Sequence, residues 1–551
     1  MKLWRHYTVV VLFLGACSAL AARVTYLNVT ERAFLQEQGD ARSLRLETMP
    51  AYRGVVYDRH GEPLAVSTPV MAVWTDPSFV RLDGDDIDAL AGVLELDPHE
   101  LARDLEADAG RAFFYLKRRV PWEMAERARQ LQIDGIYFQR EYRRYYPAAD
   151  TSAHVVGMTN IDDLGLEGIE LSFEPHLRGS HGSKRVLKDR RGETIKDLEF
   201  IEAPRFGSDL YLSLDLRLQF LAFRELKAAV LAHRAVSGSL VMLDARSGEI
   251  LALVNSPSYN PNDLSQGNGA GMRNRAVTDS YEPGSTIKPF TVLAALETGR
   301  YQPETTIETA PGYFRVGNKL VQDPVNRGTI TLVQALQKSS QVGIAKVALD
   351  LSPQAVFEVL NRAGIGGFVG TGLPGENAGS LTDRGLDNAV VRTTLAYGYG
   401  LAVSPLQLAR GYLSLATGGL SLPLSILRED EVPAGDRVFD AKLCRQVLEM
   451  LETVTEDAGT APLARVPGYR IAGKTGTSRK VSAHGYDDER HVALFAGIAP
   501  VTDPRLVMVV LINEPGGEAK GGGTVAAPVF GRVAARALRL LGVKPDEVSA
   551  I

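Results

Sequence analysis

The chain has 551 residues, 45% hydrophobic and 23% charged, a composition that excludes disorder as its main state. That length leaves room for about three or four domains, and so excludes a single small binding module. With 61 Lys+Arg against 66 Asp+Glu the net charge is −5, which excludes a general electrostatic footprint for nucleic acid.

Lys2 and Arg5 precede an uncharged apolar run from His6 to Ala22, and the chain is apolar again after Arg23. This predicts one membrane segment with its amino end in the cytoplasm, held as an uncleaved anchor. A cleaved signal peptide and a lipoprotein box at Leu14–Cys17 are the competing readings, and all three export the remaining chain. The two cysteines, Cys17 and Cys444, cannot build a disulfide scaffold or a thiolate zinc site. Cys444 reads as a buried structural residue. His99-Glu100 is followed at position 103 by arginine, so the two-histidine zinc helix is absent and no metal motif is found.

Val55–Tyr57 and the turn Arg59–Glu62 predict a hairpin. Residues 86–132 have helical spacing with mixed charge, as solvated amphipathic helices do. The basic stretch Arg178–Arg191 reads as a solvated hairpin, and a domain boundary is expected near Ala203-Pro204. From about Val236 the texture changes: SGSLVMLDA and ILALVNS flank a four-residue turn. RIAGKTGTS, HVALFAGIAP and RLVMVVLINEP predict three more strands, followed by a helix from about Val525 to Leu541. Helical segments separate the two groups of strands, which predicts an α+β domain with an antiparallel sheet covered by helices.

One segment carries chemistry. Tyr281–Phe290 (YEPGSTIKPF) enters an apolar-periodic helix that ends at Gly299. Pro289 must lie in the first turn, which places Ser285 near the N-cap, beside free amides, with Lys288 one turn on. A serine needs a neighbour to take its proton, and a lysine can do so only when burial or positive charge lowers its pKa. Downstream come Lys338-Ser339-Ser340-Gln341 and, at the edge of a predicted strand, Gly473-Lys474-Thr475-Gly476-Thr477. This ordered trio occurs in penicillin-binding proteins and serine β-lactamases.

The resemblance extends over most of the chain. RGVVYDRHGEPLA at Arg53–Ala65, RRYYP at Arg143–Pro147 and GLEGIE at Gly165–Glu170 resemble the pedestal of class B penicillin-binding proteins, which are membrane-anchored peptidoglycan D,D-transpeptidases. DSYEPGSTIKPF, GYGLAVSPLQLARGY, FAGIAPVTDPRLVMVVLINEP and GGGTVAAPVFG look most like the cell-division branch. The resemblance implies an anchor at 1–30, an elongated pedestal at 31–220 and a transpeptidase domain at 221–551 with a mostly antiparallel five-stranded sheet. It implies Ser285 as nucleophile, Lys288 as its base, Ser339 as proton relay and Lys474 as the cation that positions the relay. Gln341, Thr475, Gly476 and Thr477 would bind substrate, with the amides of Ser285 and Thr477 as oxyanion hole. The family has Asn where this chain has Gln341; the carboxamide is kept and one methylene is added.

The implied reaction is transfer of a stem-peptide acyl group from D-Ala-D-Ala to an amine during septal wall synthesis, inhibited by β-lactams and without a cofactor. A glycan polymerase in the inner membrane and other division proteins are the implied partners. The catalytic domain would lie in the periplasm. The alternatives are an elongation-specific transpeptidase, a β-lactamase or carboxypeptidase passing the acyl group to water, and a β-lactam-binding scaffold without turnover.

Overall fold

The structure is a computed structural model that describes residues 3–35, 37, 44–78, 80–188, 194–266, 269–482 and 485–547. Helix α1 (Leu3–Val29) runs unbroken through Arg23, and its 27 residues bury no side chain. At 1.5 Å per residue it is about 40 Å long, more than the apolar thickness of a bilayer. It is a single apolar helix long enough to cross a membrane.

The chain divides into two compact units, the first Met1–Gly54, Ser67–Arg143 and Arg178–Ser208, the second Val55–Val66, Arg144–Leu177 and Asp209–Ile551. In the first, strands β1 (Leu44–Met49), β2 (Pro63–Thr75, its first residues in the second unit), β3 (Phe114–Val120), β4 (Ile136–Tyr145), β5 (Gly182–Lys188) and β6 (Thr194–Glu202) form two sheets. The order β1-β5-β6 makes one sheet, whereas β2 pairs with both β3 and β4 in the other. The expected basic hairpin is the β5–β6 pair; the last three residues of the basic stretch, 189–191, lie outside the described residues. Helices α2 (Gly84–Leu94), α3 (Pro98–Ala107) and α4 (Trp122–Gln130) bury Leu90, Leu94, Leu101 and Met124 against Met71, Val73 and Leu116. Asp83 and Asp97 cap α2 and α3 through their side chains, so His99 is a first-turn residue whose amide is held by Asp97.

In the second unit the predicted Val55–Glu62 hairpin is present, with Val56 opposite Ala65 and Tyr57 opposite Pro63. Two sequence motifs far apart in the chain meet here: Arg144 Nε donates to Glu170 at 2.6 Å, both side chains buried. Helix α5 (Leu216–Ala232), capped by Asp215, precedes the hairpin β7 (Ser237–Asp244) and β8 (Ile250–Ser256). After helices α6 (Lys288–Glu297), α7 (Gln341–Asp350) and α8 (Pro405–Ala416) come β9 (Ala472–Ser482), β10 (Gly485–Ala499), β11 (Leu506–Asn513) and α9 (Ala527–Leu540). The sheet order is β8-β7-β11-β10-β9, antiparallel at every pairing. β7, β8 and β11 are buried at every position, so helices cover both faces of the sheet. That is why these strands read as continuous apolar runs instead of alternating ones. β9 is left at the edge, where one side of its backbone is free of the ladder.

Candidate active site

The sequence places Ser285 at the N-cap of α6, and here the structure differs. Ser285 sits inside a 3-10 turn, Gly284–Ile287, and Ile287 occupies the cap position of α6 without a side-chain bond. Pro289 suits the start of the α-helical ladder at Lys288, where its missing N–H costs no hydrogen bond. Ser285 and Lys288 are three residues apart across the junction of the 3-10 turn and α6, a spacing that puts both side chains on the same side of the backbone. The Lys288 amide donates to the Ser285 carbonyl.

The turn is fixed from several sides. Thr286 Oγ1 donates to Pro283 O at 2.8 Å, and the buried Tyr412 hydroxyl of α8 donates to Thr286 O at 2.8 Å. Gly284 has φ +55° and its amide donates to Gly398 O at 3.0 Å. A Cβ on Gly398 would stand 2.0 Å from Gly284 O, so only glycine permits this approach. On the other side the turn lies against edge strand β9, where a Cβ on Gly476 would meet Pro283 O at 2.8 Å. Gly476 therefore lets the strand come close to the turn that carries Ser285.

Lys288 is fully buried, and its ammonium donates to Ser339 O at 2.6 Å and to Ser339 Oγ at 3.1 Å. Burial is the main cause that lowers its pKa to about 7; Asp323 opposes the shift and Arg327 adds to it. Ser339 itself takes a left-handed conformation, φ +56°. Its neighbours are pinned by Asp323, which accepts from Ser340 Oγ and from the Gln341 and Val342 amides, while Ser340 Oγ caps α7 by accepting from Gly343 N. Asp323 thus holds the segment that follows Ser339 in place. Its place in the loop Gln322-Asp323-Pro324 carries no helical or strand signal, which is why the sequence alone missed it. Among the described residues the Gln341 carboxamide has no hydrogen-bond partner, and it is free to meet a ligand.

Lys474 is also fully buried, with Nζ donating to Thr475 O at 3.3 Å. Burial first and the nearby Lys288 charge second push its pKa well below the ordinary lysine value. Thr475 Oγ1 lies 2.9 Å from Thr460 Oγ1, and Thr477 Oγ1 accepts from Gly522 N at 3.1 Å. The structure thus gathers Ser285, Lys288, Ser339, Gln341, Lys474, Thr475, Gly476 and Thr477, read from three separate motifs, around one edge of the sheet. Gly398 and Tyr412 join them from the two ends of the motif GYGLAVSPLQLARGY, and Thr460 from a segment that sequence reasoning did not single out.

The Penicillin binding protein transpeptidase domain matches residues 238–535 and the Penicillin-binding Protein dimerisation domain residues 48–212. The chain is 40% identical over 551 residues to the peptidoglycan D,D-transpeptidase FtsI of Escherichia coli, covering 99% of this chain and 93% of that one. It is 39% identical over 545 residues to a probable peptidoglycan D,D-transpeptidase, PbpC, of Pseudomonas aeruginosa, covering 99% and 96%. Among solved structures, penicillin-binding protein 3 of Mycobacterium tuberculosis complexed with aztreonam aligns with a TM-score of 0.70 and 26% identity, covering 91% of this chain and 98% of that one. The chain belongs to the penicillin-binding protein transpeptidases.

Proposed function

We propose that the protein is a serine D,D-transpeptidase that cross-links peptidoglycan stem peptides ending in D-Ala-D-Ala during septal wall synthesis, and that β-lactams acylate it as substrate mimics. The observation that carries the mechanism is the buried Lys288, lowered to about 7 and bonded to Ser339, three residues beyond Ser285 and on the same side of the backbone. A lysine whose pKa is lowered this far gives up its proton far more readily than an exposed one and serves as a general base. Ser285 Oγ attacks the penultimate D-Ala carbonyl and its proton passes to Lys288. The tetrahedral oxyanion is held by the amides of Ser285 and Thr477. Ser339, held electrostatically by Lys474, relays the proton to the departing D-Ala nitrogen. An amine of a neighbouring stem then attacks the ester, loses its proton along the same path and releases Ser285.

Thr475 and Thr477 hold the substrate carboxylate, and an extended stem peptide lies along the free edge of β9 with Gln341 and Gly476 beside it. We divide the chain into an anchor at 1–30, a pedestal at 31–220 and a catalytic domain at 221–551. The anchor lies in the inner membrane with the catalytic domain in the periplasm, where a membrane glycan polymerase and other division proteins meet it. The relatives named FtsI support the septal assignment over elongation. The test is labelling of the full chain with a fluorescent penicillin beside Ser285→Ala, followed by peptide mapping. A persistent label on Ser285, lost in the variant, is expected. A label elsewhere, or none on folded protein, overturns the reading.

A further inference from the structure

The first unit contains a cleft of about 640 Å³ that the catalytic reading does not use. Strand β1 lines one wall, with Leu46, Glu47 and Thr48, and residues 137–140 and Tyr142 of β4 line another. Two aromatic stacks border it. Trp74 is wedged between Phe113 and Tyr137, with ring centres 4.7 and 4.5 Å away, and Phe206 lies flat on Tyr52 at 4.3 Å and 12°. Tyr142 meets Tyr52 edge-on at 6.1 Å. Stacking fixes these rings in place, so a ligand that uses them loses little side-chain entropy. Phe206 is half exposed, leaving ring surface open to solvent.

Three cations enter the same cleft, and they differ in what already holds them. Lys184 is bound by Asp197 and Glu47 at 3.0 and 3.4 Å, and Arg129 by Glu126 at 3.0 Å. Arg140 has no carboxylate partner among the described residues; its guanidinium rests over the Tyr142 ring at 5.6 Å. It is a spare, propped anion receptor of the kind that takes a carboxylate through two parallel hydrogen bonds. Gln139 adds a neutral hydrogen-bonding amide to the lining.

Fixed rings match the apolar C–H face of a pyranose, whose polarised hydrogens suit the negative face of an aromatic ring. The spare guanidinium matches a carboxylate. A ligand with both features is a glycan strand carrying carboxylate-bearing stem peptides. We propose that this cleft binds such a peptidoglycan strand, with sugar rings against Phe206 and Tyr142 and a stem carboxylate on Arg140. The proposal rests on the transpeptidase reading above, since it assigns the polymer on which that reaction works. Holding the strand at a second site of the same chain raises the effective concentration of its stems at Ser285.

The test uses the full chain in detergent micelles, its Ser285 first blocked with penicillin so that the catalytic site cannot contribute. Three probes are titrated: uncross-linked glycan chains with tetrapeptide stems, the same chains stripped of stems by an amidase and with the lactyl carboxylates so freed capped as neutral amides, and free tetrapeptide. Arg140→Met is expected to weaken the intact chains about tenfold and leave the stripped chains unchanged, with partial rescue by Arg140→Lys. Phe206→Ser is expected to weaken both kinds of chain. Hydrogen exchange on the wild type supplies a readout independent of any variant's folding, with slower exchange expected across Tyr137–Tyr142 when intact chains are added. The proposal is overturned if blocked protein binds no chains, if either variant binds intact chains as the wild type does, or if free tetrapeptide binds as tightly as the chains. Failure of the transpeptidase reading shows separately, as absent acylation in the blocking step.

Discussion

Replacing Lys288 by methionine abolishes the proposed base, yet it should make the second unit more stable at neutral pH. The wild-type side chain is fully buried with its pKa lowered from 10.5 to about 7. A folded-state value below the unfolded one means that the unfolded chain binds more protons between those two pH values. Stability therefore rises with pH across that window, and the whole cost of burying the charge is present below pH 7. At about 1.4 kcal/mol per pH unit, the cost at pH 7 is about 5 kcal/mol. Methionine removes it and also removes the two bonds to Ser339, worth about 1 kcal/mol each. The variant should be more stable by about 3 kcal/mol at pH 7, equal near pH 9 and slightly weaker at pH 10. Tryptophan fluorescence is blind to this change, because Trp4, Trp74 and Trp122 all lie outside the second unit. Native-state hydrogen exchange of the α6 amides, measured at several pH values, reads it. A variant less stable at pH 7, or a gap that does not change with pH, would refute the buried-charge argument.

Penicillin acylation of the wild type should climb nearly tenfold from pH 5 to 6, flatten above pH 7 and gain less than about twofold from pH 7 to 8; a steady climb through pH 9 in stopped-flow labelling would mean that an ordinary lysine is the base. Asp323→Asn removes the charge that raises Lys288, so the midpoint of that profile should move to lower pH, while Arg327→Gln moves it higher. Gln341→Ala should slow acylation about tenfold or more with little loss of stability, because the carboxamide holds no other group; equal rates would show that Gln341 does not touch substrate. Gly398→Ala places a methyl 2.0 Å from Gly284 O and should abolish labelling, a result that mass mapping of Ser285 checks directly.

Much of this was legible because it depends on local patterns. The apolar runs at Ser237–Asp244, Ile250–Ser256 and Leu506–Asn513 predict strands and are strands, since a sheet covered on both faces needs continuous apolar sequence. Ser285 and Lys288 were legible through Pro289, although the 3-10 turn was not: the choice between 3-10 and α geometry is made by Gly398, Tyr412 and β9 pressing on the turn from outside. Asp323 was illegible for the same reason. Its three partners, Ser340, Gln341 and Val342, are brought to it by the loop that follows Gln322, and spacing along the chain says nothing of such a meeting.

The charge balance of the site gives a reason for the proposed binding of a substrate carboxylate there. Lys288 and Lys474 are buried within reach of each other's charge, and Arg327 is near enough to lower Lys288 further. Asp323 is the acid that opposes this, and it is already committed to Ser340 and two amides. Among the described residues the Lys474 ammonium hydrogen-bonds only with Thr475, so no carboxylate stabilises its charged form. A substrate carboxylate at Thr475 and Thr477 would supply the missing negative charge and raise the pKa of Lys474. Binding of a carboxylate-ended ligand should then take up a proton from solution wherever Lys474 is uncharged in the free protein. Calorimetry in buffers of different ionisation enthalpy measures that uptake. Binding to Ser285→Ala with no proton exchange at any pH across the titration would refute the coupling between the substrate carboxylate and Lys474.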